Sequence, residues 1–480
     1  MERVAVVAPT ALLRDVLVHV ADEGTVEIDR EGPEGRAGEP GVAARRLQRL
    51  EQQPAVQPAL SLLAPDLDAL ERDGRLDLLA GEAEVESSVA SAVVRGEVAA
   101  VAGWVPAASL PRLSSRLAEA GGGVVLLPPP RGLDPPTLLR SGGDVRRSFS
   151  PLVETYATVP YADVDPTVMA GLAYMVMFGM MFGEVGHGAL VVLLGLLMRA
   201  GRPPALARFR RSWPFVVGSG LAAMAFGLLY GEFFGPTGVV PVLWLEPLEE
   251  PVTLLSAAVG VGAVLLAGAY VVGTVNRWRE GGWPLALSAP SGIAGASLFA
   301  GLGLLVLGAV SGLAWVMAIG GLVAGGGLVL AFAGFVAAAP GEPAGGRPAR
   351  IVQASVELFD SVIRLGTNLA SFARLAAFGL THAALGQVVW DGTTGLWSSG
   401  GLFTLAAIAV FVVGNALAFA LEALVAGVQA LRLEYYELFS RVFAAEGRGF
   451  RPWHVPVDLS YQPSTAPATA DSVTDDRRSP

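Results

Sequence analysis

The feature that most constrains this chain is a series of long apolar stretches between residues 166 and 441. Several of them exceed the roughly 18 residues that an α-helix needs to cross a bilayer. Over the 480 residues, 52% of side chains are hydrophobic and only 16% are charged, whereas a soluble domain has about 25% charged residues. More than half of the charged residues precede residue 165. We therefore expect an all-α polytopic membrane domain that follows a small α/β cytoplasmic domain.

The part of the chain before the membrane domain alternates between strand-like runs and helical patterns. Leucines at helical spacing between residues 43 and 94 add a short helical hairpin, broken at Pro54–Pro58. The predicted strands are residues 3–8, 25–28, 97–103 and 124–127, and the predicted helices between them are 11–21 and 109–120. The predicted domains are a head (1–130), a linker (131–165), a transmembrane ion-translocating domain (166–455) and a disordered tail (456–480).

The membrane domain contains six clear apolar spans, and the last two are long enough to be tilted or to extend beyond the bilayer. A further apolar segment, Val168–Met198, precedes them and is broken at Phe182–Gly188. The connectors that carry Arg are expected on the cytoplasmic side, which predicts eight crossings with both termini cytoplasmic. The N-terminus lacks a signal-peptide pattern, which agrees with a cytoplasmic head. The six spans are residues 212–235, 252–275, 288–311, 313–338, 353–390 and 401–432.

Composition also excludes several classes of function. The chain has no cysteine, so neither a disulfide framework nor thiol chemistry is available. A net charge of −10 argues against nucleic acid as a partner. No phosphate-binding loop follows the glycines of residues 179–188, because no Lys with Ser or Thr comes after them. The sequence predicts no cofactor and no metal.

Ionisable groups crowd into the last two spans, where each costs about 2.5–3.5 kcal/mol to insert and usually marks an ion path. Arg374 stands in an apolar run and stays protonated at any working pH, so it needs a carboxylate partner, either Glu422 or one on another protein. His382 is a candidate for proton entry or exit. Asn415, Glu422 and Gln429 are seven residues apart and therefore form one stripe, with Arg432 on its flank.

Several motifs resemble the large membrane subunit (subunit I or subunit a) of V/A-type ATPases. The resemblance covers residues 95–455 in order and includes Gly103–Pro106 in the head. Phe178–Gly188 resembles the first-span signature, in which Asp is usual at Glu184, which we interpret together with Glu232 as helix capping. The other matching segments are Asp134–Leu139, Gly227–Gly235, Asn368–Ala383, Gln429–Glu437 and Phe450–Pro452.

This resemblance implies a non-catalytic stator subunit in the plasma membrane of a prokaryote, which provides two ion half-channels at a rotating c-ring. Arg374 then corresponds to the arginine that separates the half-channels, and Arg432, Glu422 and His382 to residues that line them. The implied partners are the c-ring subunits, peripheral stalk subunits, the catalytic sector indirectly and the lipid bilayer. The head is shorter than is usual for the family.

Two other functions are compatible with a polytopic membrane protein. A secondary ion-coupled transporter predicts inverted repeats with paired broken helices, but only one segment is clearly broken and the polar residues lie in the last two spans. A receptor or scaffold with a sensor head leaves Arg374 and Glu422 inside the membrane without a role.

Overall fold

In a computed structural model, the chain forms two compact units, of which the first combines both ends of the sequence. Met1–Leu139 and the residues from Arg448 onward form the first unit, and Arg140–Gly447 forms the second. The structure describes residues 1–29, 41–50, 57–128, 134–137, 144–338, 346–443 and 447–461.

The first unit is built on an antiparallel sheet with helices on its buried side. β1 pairs along its whole length with β4, from Glu2 opposite Val105 to Pro9 opposite Val98. β5 lies on the other side of β1, and β2 and β3 pair with opposite ends of β4. The strands are β1 (Glu2–Pro9), β2 (Glu27–Ile28), β3 (Val93–Arg95), β4 (Val98–Val105) and β5 (Gly123–Leu126), and the helices are α1 (Leu13–Glu23), α2 (Val42–Leu50), α3 (Leu67–Arg72), α4 (Leu76–Ala90) and α5 (Leu110–Glu119).

The order β2-β4-β1-β5 makes this sheet a split βαβ arrangement. β1-α1-β2 and β4-α5-β5 are its two units, and each has a strand of the other unit between its own two strands. Alternate residues of β1, including Val4, Val6 and Ala8, point into a core shared with α1 and α5. The predicted strands and helices are confirmed to within a few residues.

The predicted helical hairpin corresponds to α2 and α4, with the additional short helix α3 between them. Glu86 of α4 accepts a hydrogen bond from the backbone N–H of Ala43 in α2. Asp66 caps α3 by accepting from the backbone N–H groups of Asp68 and Ala69. Most of the predicted break at Pro54–Pro58 lies outside the described residues.

The C-terminal segment, residues 448–461, packs on the sheet domain. Trp453 and Val455 join its core, and Leu60 forms a parallel bridge with Val457. Gly24, at the end of α1, adopts a left-handed conformation (φ 59°), and a Cβ there would lie 2.8 Å from Nδ1 of His454. The segment therefore fits closely against α1.

These contacts differ from the predicted domain limits at two places. The membrane domain was expected to continue to residue 455 and disorder to begin at 456, but residues 448–461 belong to the first unit because their apolar side chains complete its core. The remainder of the predicted tail, 462–480, lies outside the described residues. The predicted linker contains a helix, α6 (Asp144–Glu154), because Phe149 and Val153 provide it with a buried apolar face.

The second unit is helical in the part that the structure describes. Six of its helical segments are long and apolar enough to cross a membrane, and they coincide with the six predicted spans. The helices that follow α6 are α7 (Thr167–Met181), α8 (Val185–Ala200), α9 (Pro204–Ala207), α10 (Trp213–Tyr230), α11 (Pro251–Ser288), α12 (Ile293–Ser311), α13 (Ala314–Ala338), α14 (Gly346–Ser371), α15 (Ala373–Ser398), α16 (Phe403–Leu433) and α17 (Ser440–Val442).

The segment predicted to be broken forms α7 and α8, with 15 and 16 residues. Each is shorter than the ~20 residues of a perpendicular crossing, so the prediction of eight crossings is not established by helix length. The two long final spans are confirmed. They run over 51 residues (Pro348–Ser398) and 40 residues (Phe403–Val442). The first of these is interrupted at Phe372, and the second contains a π-helical stretch, Glu434–Phe439.

Small residues allow the helices of this unit to pack closely. A Cβ on Gly301 of α12 would lie 2.3 Å from the backbone nitrogen of Ala324 in α13. A Cβ on Gly227 of α10 would lie 2.5 Å from the backbone nitrogen of Val185 in α8. Within a bilayer the hydrophobic effect does not drive helices together, so close van der Waals contact between small residues takes over part of that role.

Candidate functional site

Arg374 lies at the start of α15, directly after the interruption at Phe372. Its side chain is half-buried, and Nη1 has no hydrogen-bond partner among the residues that the structure describes. The charged groups that interact with it electrostatically are Arg432 and Glu437. The partner predicted within the chain was Glu422, but its carboxylate contacts His382 instead. The carboxylate that interacts electrostatically with Arg374 is that of Glu437, which was not a predicted site residue.

Glu437 is positioned by the π-helical stretch and by Asn368 of α14. With the Asn368 amide oriented to satisfy its neighbours, its nitrogen donates to Oε2 of Glu437 (3.0 Å) and its oxygen accepts from Nη2 of Arg441 (3.1 Å). π-Helical turns often occur at functional sites. Arg374, Arg432, Glu437, Asn368 and Arg441 are called the arginine group below.

His382 and Glu422 form a second polar group on the same two long helices. Nδ1 of His382 contacts Oε2 of Glu422, and since a carboxylate only accepts hydrogen bonds, the imidazole donates from Nδ1. His382 is 5% exposed, so this contact is shielded from solvent by the rest of the unit.

Residues from the broken segment and from the chain after α10 lie around His382. Glu184 is 1% exposed and His187 is 3% exposed, and the ring centroids of His187 and His382 are 5.8 Å apart. The buried carboxylate of Glu232 interacts electrostatically with His382, Glu184 and Glu422. These five residues are called the histidine group below.

Glu184 caps α8, as the sequence predicts. Its Oε1 accepts from the backbone N–H groups of Gly186 (2.7 Å) and Phe234 (2.6 Å), and its Oε2 accepts from that of His187 (2.6 Å). One carboxylate therefore satisfies the first turn of α8 and connects it to the chain after α10. The capping interpretation of Glu184 is confirmed, and this position also brings Glu184 beside the two histidines.

The remaining predicted site residues, Asn415, Gln429 and Arg432, lie along α16, and only Arg432 belongs to one of the two groups. Asn415 donates to the carbonyl of Phe411 in its own helix (2.9 Å). Gln429 has a buried Oε1 without a hydrogen-bond partner among the described residues. Arg432 is exposed and contributes to the arginine group through its charge. The residues of the predicted stripe therefore lie on one helix but have different surroundings.

Sequence reasoning missed His187 and Glu437 as site residues. His187 lies within the motif of residues 178–188, but it meets His382 only because α15 packs beside it. The pattern of a single helix does not show that contact. Glu437 is five residues beyond Arg432, a spacing that an α-helical pattern does not place on one face, and the π-helical stretch changes this relation.

Comparison with known proteins relates the chain to the membrane subunits of rotary ATPases. Residues 89–236 match the model of the V-type ATPase 116 kDa subunit family. The A-type ATP synthase subunit I of Aeropyrum pernix is 25% identical over 93% of this chain and 69% of its own length. That of Pyrococcus horikoshii is 25% identical over 74% of this chain and 54% of its own length.

A bacterial relative is similar over a shorter region. The V-type ATP synthase subunit I 2 of Treponema pallidum is 34% identical over 33% of this chain and 36% of its own length. The chain spans between about a third and two thirds of the length of these three relatives.

Proposed function

We propose that this chain, which is similar to the subunit I proteins of A-type and V-type ATP synthases, is the stationary ion-conducting subunit of a rotary ATPase. In this role the chain forms two ion half-channels in a prokaryotic plasma membrane, and Arg374 separates them. The reaction at ATP takes place on other subunits. The ion is H⁺ or Na⁺, and the transport is coupled to ATP synthesis or hydrolysis.

The observation that carries this proposal is the presence of two separate polar groups on the same pair of long helices. Arg374 and His382 are eight residues apart on α15, a distance of about 12 Å at 1.5 Å per residue. The histidine group surrounds one position and the arginine group the other. Two half-channels that open to opposite sides require such an arrangement, with a barrier between them.

The incomplete pairing of Arg374 suits it to meet a carboxylate on another protein. Nη1 is buried without a partner among the described residues, and Arg432 adds a second positive charge nearby. A carboxylate that moves past these cations is favoured in its ionised form. It therefore releases its ion on arrival and takes up another after it leaves.

The apolar faces of the long helices provide a surface for that other protein. In the apolar part of the span Phe403–Val442, 11% of the residues are buried by the rest of the chain. The corresponding share is 22–33% in the other five candidate spans. Large apolar side chains are exposed along it, among them Val412, Leu417, Leu421, Leu424 and Val428. We propose that a ring of small hairpin subunits covers part of this face and lipid covers the remainder.

The placement of the chain ends supports an even number of crossings. Residues 448–461 pack in the same unit as residues 1–139, so both lie on one side of the membrane. Six long spans together with α7 and α8 would make eight crossings, and the Arg-bearing connectors favour a cytoplasmic position for this side. There the head is available to bind peripheral stalk subunits and, through them, the catalytic sector.

Affinity purification in mild detergent tests the proposed function. We expect the chain to co-purify with a small hairpin subunit and with ATPase catalytic subunits, and the complex to drive ion uptake in liposomes when ATP is added. A secondary transporter would instead purify without these subunits and transport its substrate alone. Recovery of the chain by itself, with ion transport that does not depend on ATP, would contradict the proposal.

A further inference from the structure

Glu184, His187 and His382 bring three possible metal ligands together in the interior of the second unit. One donor atom from each of these residues lies within 4.8 Å of the others. All three side chains are at least 95% buried. His187 and His382 are separated by 195 positions in the sequence, and the chain has only four histidines. Their convergence is therefore a product of the fold.

The Glu184 carboxylate is held in place and still has a free position. A carboxylate offers about four lone-pair sites, and the three backbone N–H groups of Gly186, His187 and Phe234 use three of them. The remaining site belongs to Oε2, which lies 2.9 Å from Nδ1 of His187. Because the backbone fixes this oxygen, it requires little reorganisation to bind a cation.

The buried ring of His187 has Nδ1 beside Oε2 of Glu184 (2.9 Å). Its Nε2 has no hydrogen-bond partner among the residues that the structure describes. A buried imidazole in this state lacks hydrogen bonds that water would provide, which destabilises it. A cation placed between His187 and Oε2 of Glu184 would satisfy both.

His382 has a carboxylate partner of the kind that metal-bound histidines commonly have. Its Nδ1 donates to the carboxylate of Glu422, so its Nε2 is the nitrogen left for a ligand. Histidines that bind a metal usually donate their other ring N–H to a carboxylate or carbonyl, which fixes the tautomer and increases the basicity of the ring. Glu422 thus has the place of a positioning residue for His382.

Aromatic rings enclose these ligands. Phe182 lies 5.8 Å from the His187 ring and 5.2 Å from the His382 ring, measured between centroids. Phe234 and Phe419 lie 5.3 Å and 5.6 Å from His187. Such an apolar shell limits the access of water and strengthens the interaction of a cation with its ligands.

We propose that Glu184, His187 and His382 bind a divalent transition-metal ion of the Zn²⁺ class. Two imidazoles and one carboxylate form a known ligand set for zinc, with a fourth position open. Mg²⁺ and Ca²⁺ prefer oxygen ligands, so two histidines disfavour them.

Metal binding would immobilise His382, which the proposed function assigns to an ion path. The metal site would then be inhibitory, and Zn²⁺ would lower the rate of coupled transport. The expected inhibition of transport rests on the proposed function, but the binding of the metal does not. Binding is measured on the chain without transport, so either proposal can be contradicted while the other stands.

The test uses the full chain in lipid nanodiscs, purified through a tag that contains no histidine. We expect one Zn²⁺ per chain by equilibrium binding, and X-ray absorption that shows two imidazole nitrogens in the coordination shell. Because the chain has no cysteine, thiolates cannot contribute. His187→Gln and His382→Gln should each weaken binding by more than about 10-fold. Loss of an outer-shell partner alone already weakens metal binding by about 10- to 100-fold.

The matched controls are His19→Gln and His454→Gln, which change the two histidines of the first unit and should leave the affinity unchanged. Thermal unfolding without metal shows whether each variant is folded. If a ligand variant does not fold, Glu422→Gln provides the measurement, because it leaves all three ligands in place and should weaken binding by about 10- to 100-fold. Binding that is absent in the wild type at micromolar Zn²⁺, or equal in folded ligand variants and controls, overturns the metal site.

The assembled complex in liposomes then tests inhibition. We expect Zn²⁺ to slow coupled transport in the wild type and in His454→Gln at the concentration that saturates the site. In a folded His187→Gln variant that retains measurable transport, half-inhibition should need at least about ten times more Zn²⁺. Inhibition at the same concentration in the variant and in the control would exclude this site as its cause.

Discussion

At the scale of single residues, Arg374 is a cation that its own chain neutralises only in part. Its Nη1 is buried without a hydrogen-bond partner in the described part of the chain, and its electrostatic neighbours carry charges of both signs. The sequence predicted that this arginine needs a carboxylate. It did not predict that Glu422 would be held by His382, since that contact joins two helices.

The first prediction concerns Arg374→Gln. We expect ATP-driven ion transport in membrane vesicles to fall to the level of the passive leak, because a neutral side chain no longer favours the ionised form of a passing carboxylate. The control is Arg364→Gln, since Arg364 is exposed and forms an ion pair with Asp360 one turn away. Coupled transport at the normal rate in Arg374→Gln would remove this residue from the mechanism.

The second prediction concerns the contact between His382 and Glu422. If the two side chains act as one unit, the double variant His382→Gln/Glu422→Gln should transport no more slowly than the slower single variant. Contacting residues usually show coupling of about 0.5–3 kcal/mol, so the rate of the double variant should exceed the product of the two single effects by about twofold or more. Rates that multiply would show that the two residues act independently.

At the scale of secondary-structure elements, ion pairs as well as the packing of Trp453 hold the C-terminal segment against the rest of the first unit. Nη2 of Arg75, beside the start of α4, lies 2.6 Å from Oδ2 of Asp458 and 2.9 Å from Oδ2 of Asp77. Hydrogen bonds from Ser460 and the Arg75 guanidinium lower the pKa of Asp458 to about 2. The Arg75 guanidinium also lowers the pKa of Asp77.

The third prediction follows from the depressed pKa of Asp458. A carboxyl whose folded-state pKa lies below its ordinary value of 3.8 stabilises the fold above that value. This stabilisation is lost as the pH falls from 3.8 towards about 2. Hydrogen exchange of residues 448–461 in the full chain should therefore be faster in Asp458→Asn than in the wild type at neutral pH, and the difference should shrink as the pH approaches 2 and vanish below it.

Asp73→Asn is the control for this measurement, because Asp73 is exposed at the end of α3. It should not change exchange in residues 448–461 at any pH. An Asp458→Asn difference that persists unchanged at pH 2 would mean that the carboxylate charge does not fasten this segment.

At the scale of the whole molecule, the chain returns to its first unit after the membrane domain. Hydropathy located the six long spans but left the number of crossings in residues 166–200 undecided, because α7 and α8 are each shorter than a full span. The contacts of residues 448–461 with the sheet domain support the proposed even number of crossings.

The fourth prediction tests this topology with single cysteines, for which a chain without native cysteine is well suited. Ser115→Cys in α5 and Leu459→Cys in the C-terminal segment should react with a membrane-impermeant maleimide in inside-out vesicles. Val239→Cys and Ser399→Cys, in connectors without Arg, should react only in right-side-out vesicles. All four positions are exposed. Labelling of Leu459→Cys and Ser115→Cys from opposite sides would contradict an even number of crossings.

The sequence by itself determined the membrane class, the six long spans, the strands and helices of the head and the capping role of Glu184. Each of these depends on patterns within about twenty residues, where hydropathy, periodicity and local hydrogen bonding decide the outcome. The family resemblance also came from local motifs, and the comparisons confirmed it.

Only the tertiary structure decided which ionisable residues meet. His187 joins His382 across 195 positions, Glu437 replaces Glu422 beside Arg374, and residues 448–461 complete the core of the first unit. A burial pattern shows that a side chain faces the interior of a bundle, but the identity of its neighbour depends on how helices from distant parts of the sequence pack together. Charges in the membrane therefore indicated a functional region, and helix packing determined its chemistry.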